Sequence, residues 1–159
     1  MSLLPLATAN AKDLRIAYSA EPATLDIHEQ LSESILQLSH MSFDPLIRWT
    51  RELGFENRLA TSYQRLNPTT MRFRLRKGVR FHSGNPMTAA DFKWTFARLK
   101  ASFDFRDIFA NFVELKVIDD YTIDLVTSGP YPLVPHAATY LFPMDSKFYS
   151  GTDANGKDK

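Results

Sequence analysis

The sequence has no cysteine and no long apolar run, and these two absences exclude several classes of protein. Without cysteine, the chain of 159 residues has no disulfide, no thiol nucleophile and no cysteine-ligated zinc. No stretch approaches the roughly 18 consecutive apolar residues of a membrane span, and the mean hydropathy is −0.26. The net charge of +1 argues against nucleic acid as a partner, because that binding needs a concentrated excess of Lys and Arg. We therefore predict a protein that neither spans a membrane nor binds nucleic acid.

Motifs for catalysis and for metal binding are also lacking. The six glycines are dispersed and form neither a phosphate-binding loop nor a dinucleotide fingerprint, and no serine lies in a G-x-S-x-G turn. His28-Glu29 begins like the zinc motif H-E-x-x-H, but Ser32 stands where the second histidine is needed. We therefore predict no catalytic residue, no metal ion and no cofactor, and the sequence favours a protein that is not an enzyme.

Two patterns of secondary structure are clear in the middle of the chain. From Met71 to Leu75, apolar residues alternate with arginines, which predicts a half-buried strand. Thr88 precedes Asp91 by three residues, as in a capping box, and an apolar stripe follows. This combination predicts a helix from about Ala89 to Ala101.

Weaker patterns complete the predicted fold. Short strands alternate with helices and turns along the whole chain, which is typical of an α/β protein with a mixed sheet covered by helices. The predicted elements are a strand at 14–18, a helix at 31–41 that ends before Asp44-Pro45, a second short strand at 79–81, a hairpin at 113–125, and an irregular short helix between Pro130 and Leu141.

The basic residues around the clear strand allow two interpretations. They could form a patch that binds anions, or they could be the solvated face of a sheet whose aromatic side chains point into the core. The strict alternation favours the solvated face. The residues concerned are Arg72, Arg74, Arg76, Lys77 and Arg80.

The loop after the predicted helix is rich in aromatic residues. Phe103, Phe105, Phe109 and Phe112 could pack in the core at the end of the helix. Together with Arg106, the same loop could instead give a ligand apolar contacts and a partner for a carboxylate. Both interpretations hold for different residues of the loop.

The first eleven residues are treated apart from the fold. Ala9-Asn10-Ala11 has the small-x-small form of a signal-peptidase site, so we interpret residues 1–11 as a residual signal peptide or a cloning leader. The alternative is an ordinary frayed terminus. The fold is then predicted to begin near Lys12.

The block from Met71 to Lys100 closely resembles the signature of family 5 extracytoplasmic solute-binding proteins, which serve ABC importers for oligopeptides, dipeptides and nickel. Residues 21–26 resemble the opening E-P-x-x-L-D of the family, and residues 43–46 and 59–63 resemble two further elements. This resemblance, over about 14–143, implies the N-terminal part of lobe one of a two-lobed periplasmic binding protein (type II), including its extra subdomain. It divides the chain into the leader at 1–11, partial lobe one at 12–143, and a truncated loop at 144–159.

The resemblance also implies a function. It implies capture of a small solute, with an oligopeptide or dipeptide favoured, and delivery to the membrane permease of an ABC importer. The protein would be secreted through a signal peptide to the periplasm. The ligand contacts carried over from the family are Glu21, Ala23, Phe105 and Arg106.

Alternatives remain for these assignments. Glu21 could only cap or salt-bridge its loop, and Arg106 could be an ordinary surface arginine. The alternative function is a ligand-sensing module of a transcriptional regulator built on the same fold. The signal-like Ala9-Asn10-Ala11 argues against a cytoplasmic regulator.

Overall fold

The computed structural model describes residues 15–17, 21–22 and 24–151, with only the backbone of Glu33 and Ser34. The described part contains helices and strands in mixed order, and the predicted combination of a sheet with helices is confirmed. In chain order the elements are α1 (Glu33–Ser42), β1 (Ile47–Trp49), β2 (Phe55–Asn57), β3 (Ala60–Asn67), β4 (Thr70–Leu75), α2 (Ala89–Ala101), β5 (Phe112–Asp119), β6 (Thr122–Thr127), α3 (Val134–Ala138) and α4 (Ser146–Tyr149).

A four-stranded sheet forms the centre of the fold. Its strands lie in the order β3-β4-β6-β5, and each neighbouring pair is antiparallel. Phe73 in β4 lies opposite Tyr63 in β3 and Ile123 in β6. A separate antiparallel pair, β1 with β2, precedes this sheet. The central position of β4 places its apolar side chains in the middle of the core.

The alternation of β4 decides which face of the sheet is buried. Met71, Phe73 and Leu75 are 5%, 0% and 3% exposed. On the opposite face, the Arg72 guanidinium donates two hydrogen bonds to the carboxylate of Asp124, at 2.7 and 2.8 Å. The predicted strand is confirmed, and its aromatic residue belongs to the core while an arginine lies on the ion-paired face.

Helix α2 has the predicted bounds and the predicted start. The Thr88 N–H donates to Asp91 Oδ2 at 2.8 Å, as in a capping box. Phe92, Phe96 and Leu99 are buried, and the helix packs against β5. Packing of this apolar stripe, more than intrinsic propensity, stabilises a helix of this length.

Several weaker predictions are confirmed and two are wrong. Helices α1 and α3 and the β5–β6 hairpin lie where they were predicted. The second strand predicted at 79–81 is wrong, because only an isolated bridge, between Arg80 and Pro86, forms there. The chain turns at Gly84 (φ +89°) after it. The loop predicted from residue 144 is wrong for 144–149, because Met144 and Asp145 are buried and helix α4 follows them.

Two predictions concern residues that lie wholly or partly outside the described ones. Of the strand predicted at 14–18, residues 15–17 are described and belong to no strand. The leader at 1–11 and residues 152–159 lie outside the description. Among the described helices, of which α2 with 13 residues is the longest, none has the length and apolar character needed to cross a membrane.

Candidate functional site

Two segments that the sequence singled out lie against each other. The Leu31 N–H donates to Asp104 Oδ2 at 2.7 Å, and the Ser102 hydroxyl donates to the His28 carbonyl oxygen at 2.6 Å. These bonds join residues 24–31 to residues 102–108, the loop after α2, and we call this contact the junction. The junction brings the opening motif next to the aromatic loop, although more than 70 residues separate them in the chain.

An ion pair fixes the junction to the last turn of α2. Arg98 Nη1 donates to Asp26 Oδ1 at 3.0 Å, and Arg98 Nη2 donates to Asp26 Oδ2. Burial alone would raise the pKa of the Asp26 carboxyl, but the hydrogen bonds from Arg98 and from the His28 N–H lower it below its usual value. The carboxylate therefore stays ionised. The sequence predicts no role for Asp26, and the signal that could have indicated one is its position as the last residue of the motif E-P-x-x-L-D.

His28 is the buried polar residue of the junction. Its side chain is 1% exposed, and its Nε2 lies 3.1 Å from the Phe142 carbonyl oxygen. That oxygen only accepts hydrogen bonds, so Nε2 carries the hydrogen and Nδ1 is left with a lone pair. Burial, and then the charge of Arg98, lowers the pKa of His28 to about 4. His28 is therefore neutral at pH 7.

Because His28 is buried in its neutral form, we expect the free energy of unfolding to decrease as the pH falls below about 6.5. Between the unfolded pKa near 6.5 and the folded pKa near 4, the unfolded chain binds a proton that the folded chain does not. The loss from pH 7 to pH 5 should be about 2 kcal/mol, and it levels off below the folded pKa. Urea unfolding at several pH values measures it.

The matched variant is His28→Gln, whose amide can still donate to Phe142 but does not titrate. This variant should reduce the change in the free energy of unfolding between pH 7 and pH 5. His40, whose pKa burial also lowers, contributes in the same direction and is controlled by His40→Gln. An unchanged slope in His28→Gln would show that other groups cause the acid sensitivity.

The junction carries an open cavity of about 470 Å³. Phe103, on its wall, is 79% exposed, and the Arg106 guanidinium lies 4.9 Å from the centre of the Phe103 ring. Among the described residues, no cluster of three His, Asp or Glu side chains is arranged to hold a metal ion. The cavity is lined by His28, Glu29, Arg98, Ala101, Ser102 and Phe103.

The four predicted ligand residues have different environments. Glu21 is exposed, and Ala23 lies outside the described residues. Phe105 is 0% exposed and packs edge-to-face against Tyr140, with ring centres 6.2 Å apart. Its ring offers no accessible surface, whereas the adjacent Arg106 is exposed. The role of these residues in ligand binding stays a prediction.

The central sequence block is organised around two further buried carboxylates. Asp145 accepts hydrogen bonds from the Ser83 hydroxyl and, at 2.9 Å, from the Asn85 side-chain amide. Burial acts to raise the pKa of Asp145, but these hydrogen bonds lower it. Asp91 Oδ1 accepts the hydroxyl of Ser146 at 2.7 Å. These contacts tie the turn at 83–85 and helix α2 to helix α4 and to the N-cap residue before it.

The antiparallel sheet with α2 and the junction has the fold of part of a two-lobed periplasmic binding protein. The periplasmic binding protein AgaA from A. tumefaciens R10, solved with agropinic acid, superposes with a TM-score of 0.74 at 22% identity, covering 82% of this chain and 28% of AgaA. Haemophilus influenzae OppA, solved with the peptide RPPGFSPFR, gives a TM-score of 0.73 at 21% identity, covering 82% of this chain and 30% of OppA.

A third structure and a family profile complete the comparison. An ABC transporter substrate-binding protein from Sinorhizobium meliloti has a TM-score of 0.61 at 29% identity, covering 74% of this chain and 25% of that protein. The sequence profile of the bacterial extracellular solute-binding proteins, family 5 Middle, matches residues 54–159. The chain belongs to this family, and it spans less than a third of the length of the solved structures it matches.

Proposed function

We propose that this chain captures a small polar solute, with a peptide as the favoured class, as one half of a cleft that a second lobe completes. The observation that carries the proposal is the match of most of this chain to 28% of AgaA and 30% of OppA. Those two proteins were solved with agropinic acid and with the peptide RPPGFSPFR. We further propose export through a signal peptide, action in the periplasm, and delivery of the solute to an ABC permease.

The junction has the chemistry that a zwitterionic solute requires. Glu29 supplies an exposed carboxylate, Arg106 supplies an exposed guanidinium, and Phe103 supplies an exposed aromatic ring. Glu21, which is also exposed and lies just before the junction in the chain, is proposed as a second carboxylate. Charges of both signs beside an aromatic ring suit a ligand with an ammonium, a carboxylate and apolar side chains. Ala23 and Phe105 remain proposed ligand residues. Phe105 is buried, so its proposed contribution is to support the loop that carries the adjacent Arg106. The family consists of binding proteins, and we propose no catalytic residue.

The half-cleft predicts weak binding by these 159 residues alone. A ligand held between two lobes gains part of its affinity from contacts made only in the closed state. With one lobe, the cost of immobilising the ligand is offset by only half of the contacts. Titration calorimetry with short peptides should therefore show no affinity of micromolar strength or tighter. A micromolar dissociation constant would mean that this chain holds a complete site.

The location of the weak site is a separate test. In a titration followed by amide NMR at millimolar peptide, shifts should concentrate in residues 24–31 and 102–107. Arg106→Gln should weaken binding about fivefold, as expected for loss of one exposed ion pair. Arg51→Gln removes an exposed arginine from the β1–β2 turn and should have no effect. Equal effects of the two variants, or shifts centred on the β5–β6 hairpin, would reject this surface.

A further inference from the structure

We propose that residues 24–43, which we call the latch, form an acid-sensitive element of the fold. His28 and His40 attach the latch to Phe142, and protonation of the two histidines releases the latch as one unit. Three features of the described residues support this: both histidines contact the same residue, both contain a buried nitrogen without a partner, and the latch packs outside the main core.

The two histidines come from different parts of the latch and meet at Phe142. His28 Nε2 donates to the Phe142 carbonyl oxygen at 3.1 Å. The His40 ring packs edge-to-face on the Phe142 ring, with ring centres 5.1 Å apart. Phe142 is 1% exposed and lies shortly before helix α4. The first and the last part of the latch are therefore attached to one buried residue.

Each histidine has a buried ring nitrogen that loses by protonation. His28 Nδ1 and His40 Nδ1 are buried, and neither has a hydrogen-bond partner among the described residues. In a histidine cation both ring nitrogens carry hydrogen, so each Nδ1 would become a buried donor without an acceptor. Such a donor is unfavourable, and water satisfies it once the latch opens. Protonation therefore favours the open form.

The charges near His28 do not compensate a proton on its ring. Burial lowers the pKa of His28, and the charge of Arg98 in α2 lowers it further. Asp26 opposes this effect but is already paired with Arg98. Glu29 lies 3.8 Å from Arg98, and Asp104 accepts a backbone N–H of the latch at 2.7 Å. Among the described residues, no carboxylate accepts a hydrogen bond from the His28 ring.

His40 has a similar environment at the other end of the latch. Burial lowers its pKa, and the charges of Arg48 and Arg58 lower it further. Asp44 opposes this effect but is paired with Arg58 at 2.9 Å. Arg48 is paired with Glu56 of β2. Acid therefore disfavours the attached form of the latch at both histidines.

The latch is held outside the main core. Its buried side chains Ile27 and Ile35 are each 4% exposed, yet neither belongs to the main apolar cluster, which includes the sheet and α2. Leu25 and Phe43 of the latch are 82% and 37% exposed. A segment that buries little apolar surface opens at a lower free energy than a central sheet does. We therefore expect the latch to open while the sheet stays folded.

Release of the latch separates residues 24–31 from residues 102–108 and so removes the junction. Solute binding at the junction should then weaken in acid. This consequence for binding rests on the proposed function, whereas the release itself is measured without any ligand.

Hydrogen exchange of the backbone amides, followed by NMR, measures the release. At pH 7 the amides of α1 should exchange through a common opening that occurs more often than the opening of β4. After correction for the intrinsic exchange rate, its equilibrium constant should rise about 20-fold from pH 7 to pH 5, because the pKa of His28 is about 4 when folded and 6.5 when unfolded. Amides of α1 that open only together with β4 would show that no separate latch exists.

Variants of three histidines identify the groups responsible. His28→Gln should leave only the part of the rise that is due to His40, and the double variant with His40→Gln should remove the rise. His82→Gln, which changes an exposed histidine, should preserve it. The amides of β4 report in each variant whether the sheet is folded. A full rise in the double variant, or its loss in His82→Gln, would overturn the proposed role of His28 and His40.

Discussion

Replacing Asp91 by alanine should lower the free energy of unfolding by about 3 kcal/mol, because several hydrogen-bond donors lose their acceptor in a buried place. Asp91 is 4% exposed. Its Oδ2 accepts the Thr88 N–H at 2.8 Å, and its Oδ1 accepts the N–H and the hydroxyl of Ser146 at 3.1 and 2.7 Å. The variant therefore loses the cap of α2 and the tie to α4 together. Urea unfolding at pH 7 measures the change.

Two variants separate this effect from a general loss of charge. Asp107→Ala removes a carboxylate that is 92% exposed and should change the stability by less than about 0.5 kcal/mol. Asp91→Asn keeps the shape and one acceptor oxygen, so its loss should lie between the two. If Asp91→Ala were as mild as Asp107→Ala, the proposed tie between α2 and α4 would be wrong.

Phe73→Ala should cause the largest loss of stability among the changes considered, about 4 kcal/mol, because it leaves a cavity in the centre of the sheet. Phe73 is 0% exposed, lies between β3 and β6, and stacks on Tyr63 with ring centres 5.6 Å apart. The midpoint of urea unfolding, followed by circular dichroism, gives the change if the variant folds.

A smaller substitution keeps the test informative if Phe73→Ala does not fold. Phe73→Leu retains most of the apolar volume and should lose about 1.5 kcal/mol. Phe103→Ala, at a site 79% exposed, should lose less than about 0.5 kcal/mol. Similar losses in Phe73→Leu and Phe103→Ala would contradict the placement of Phe73 at the centre of the core.

The elements that could be predicted from the sequence have strong local signals. Strand β4 shows a period of two with arginines on the other face, and α2 combines an apolar stripe with a capping box that the structure contains. In both, neighbours within a few residues determine the conformation. The hairpin of β5 and β6 was predictable for the same reason, since Asp119-Asp120 interrupts two β-rich runs.

Other elements form because of partners that lie far away in the chain. Strand β3 exposes most of its residues and has little apolar alternation, so its pairing with β4 places it in the sheet. Strands β1 and β2 have three residues each, too few for a periodic signal. Helix α4 has four residues and follows the N-cap residue Asp145, whose side chain accepts the N–H groups of Lys147 and Phe148. The sequence, which has no periodic signal there, predicts a loop for that segment.

The candidate site was predictable in outline and not in detail. The resemblance located the loop at 105–106 and the opening motif, and the structure joins the segments to which they belong. It could not show that the pair Asp26 and Arg98 holds this contact, because 72 residues separate them. Nor could it show that Phe105 packs inward while Arg106 points to solvent, since the loop has no regular period.

The ties from Asp145 and Ser146 back to residues 83–91 impose an order on folding during translation. Asp145, whose carboxylate accepts hydrogen bonds from Ser83 and Asn85, is synthesised 60 or more residues after them. At a ribosomal rate of about 5–20 residues per second, this delay is roughly 3–12 seconds. A nascent chain can cap α2 early, but the side chains of Ser83 and Asn85 lack their carboxylate acceptor until Asp145 has left the exit tunnel. The turn at 83–85, inside the block that resembles the family signature, is therefore tied to the segment before helix α4 only after residues up to Asp145 have been synthesised.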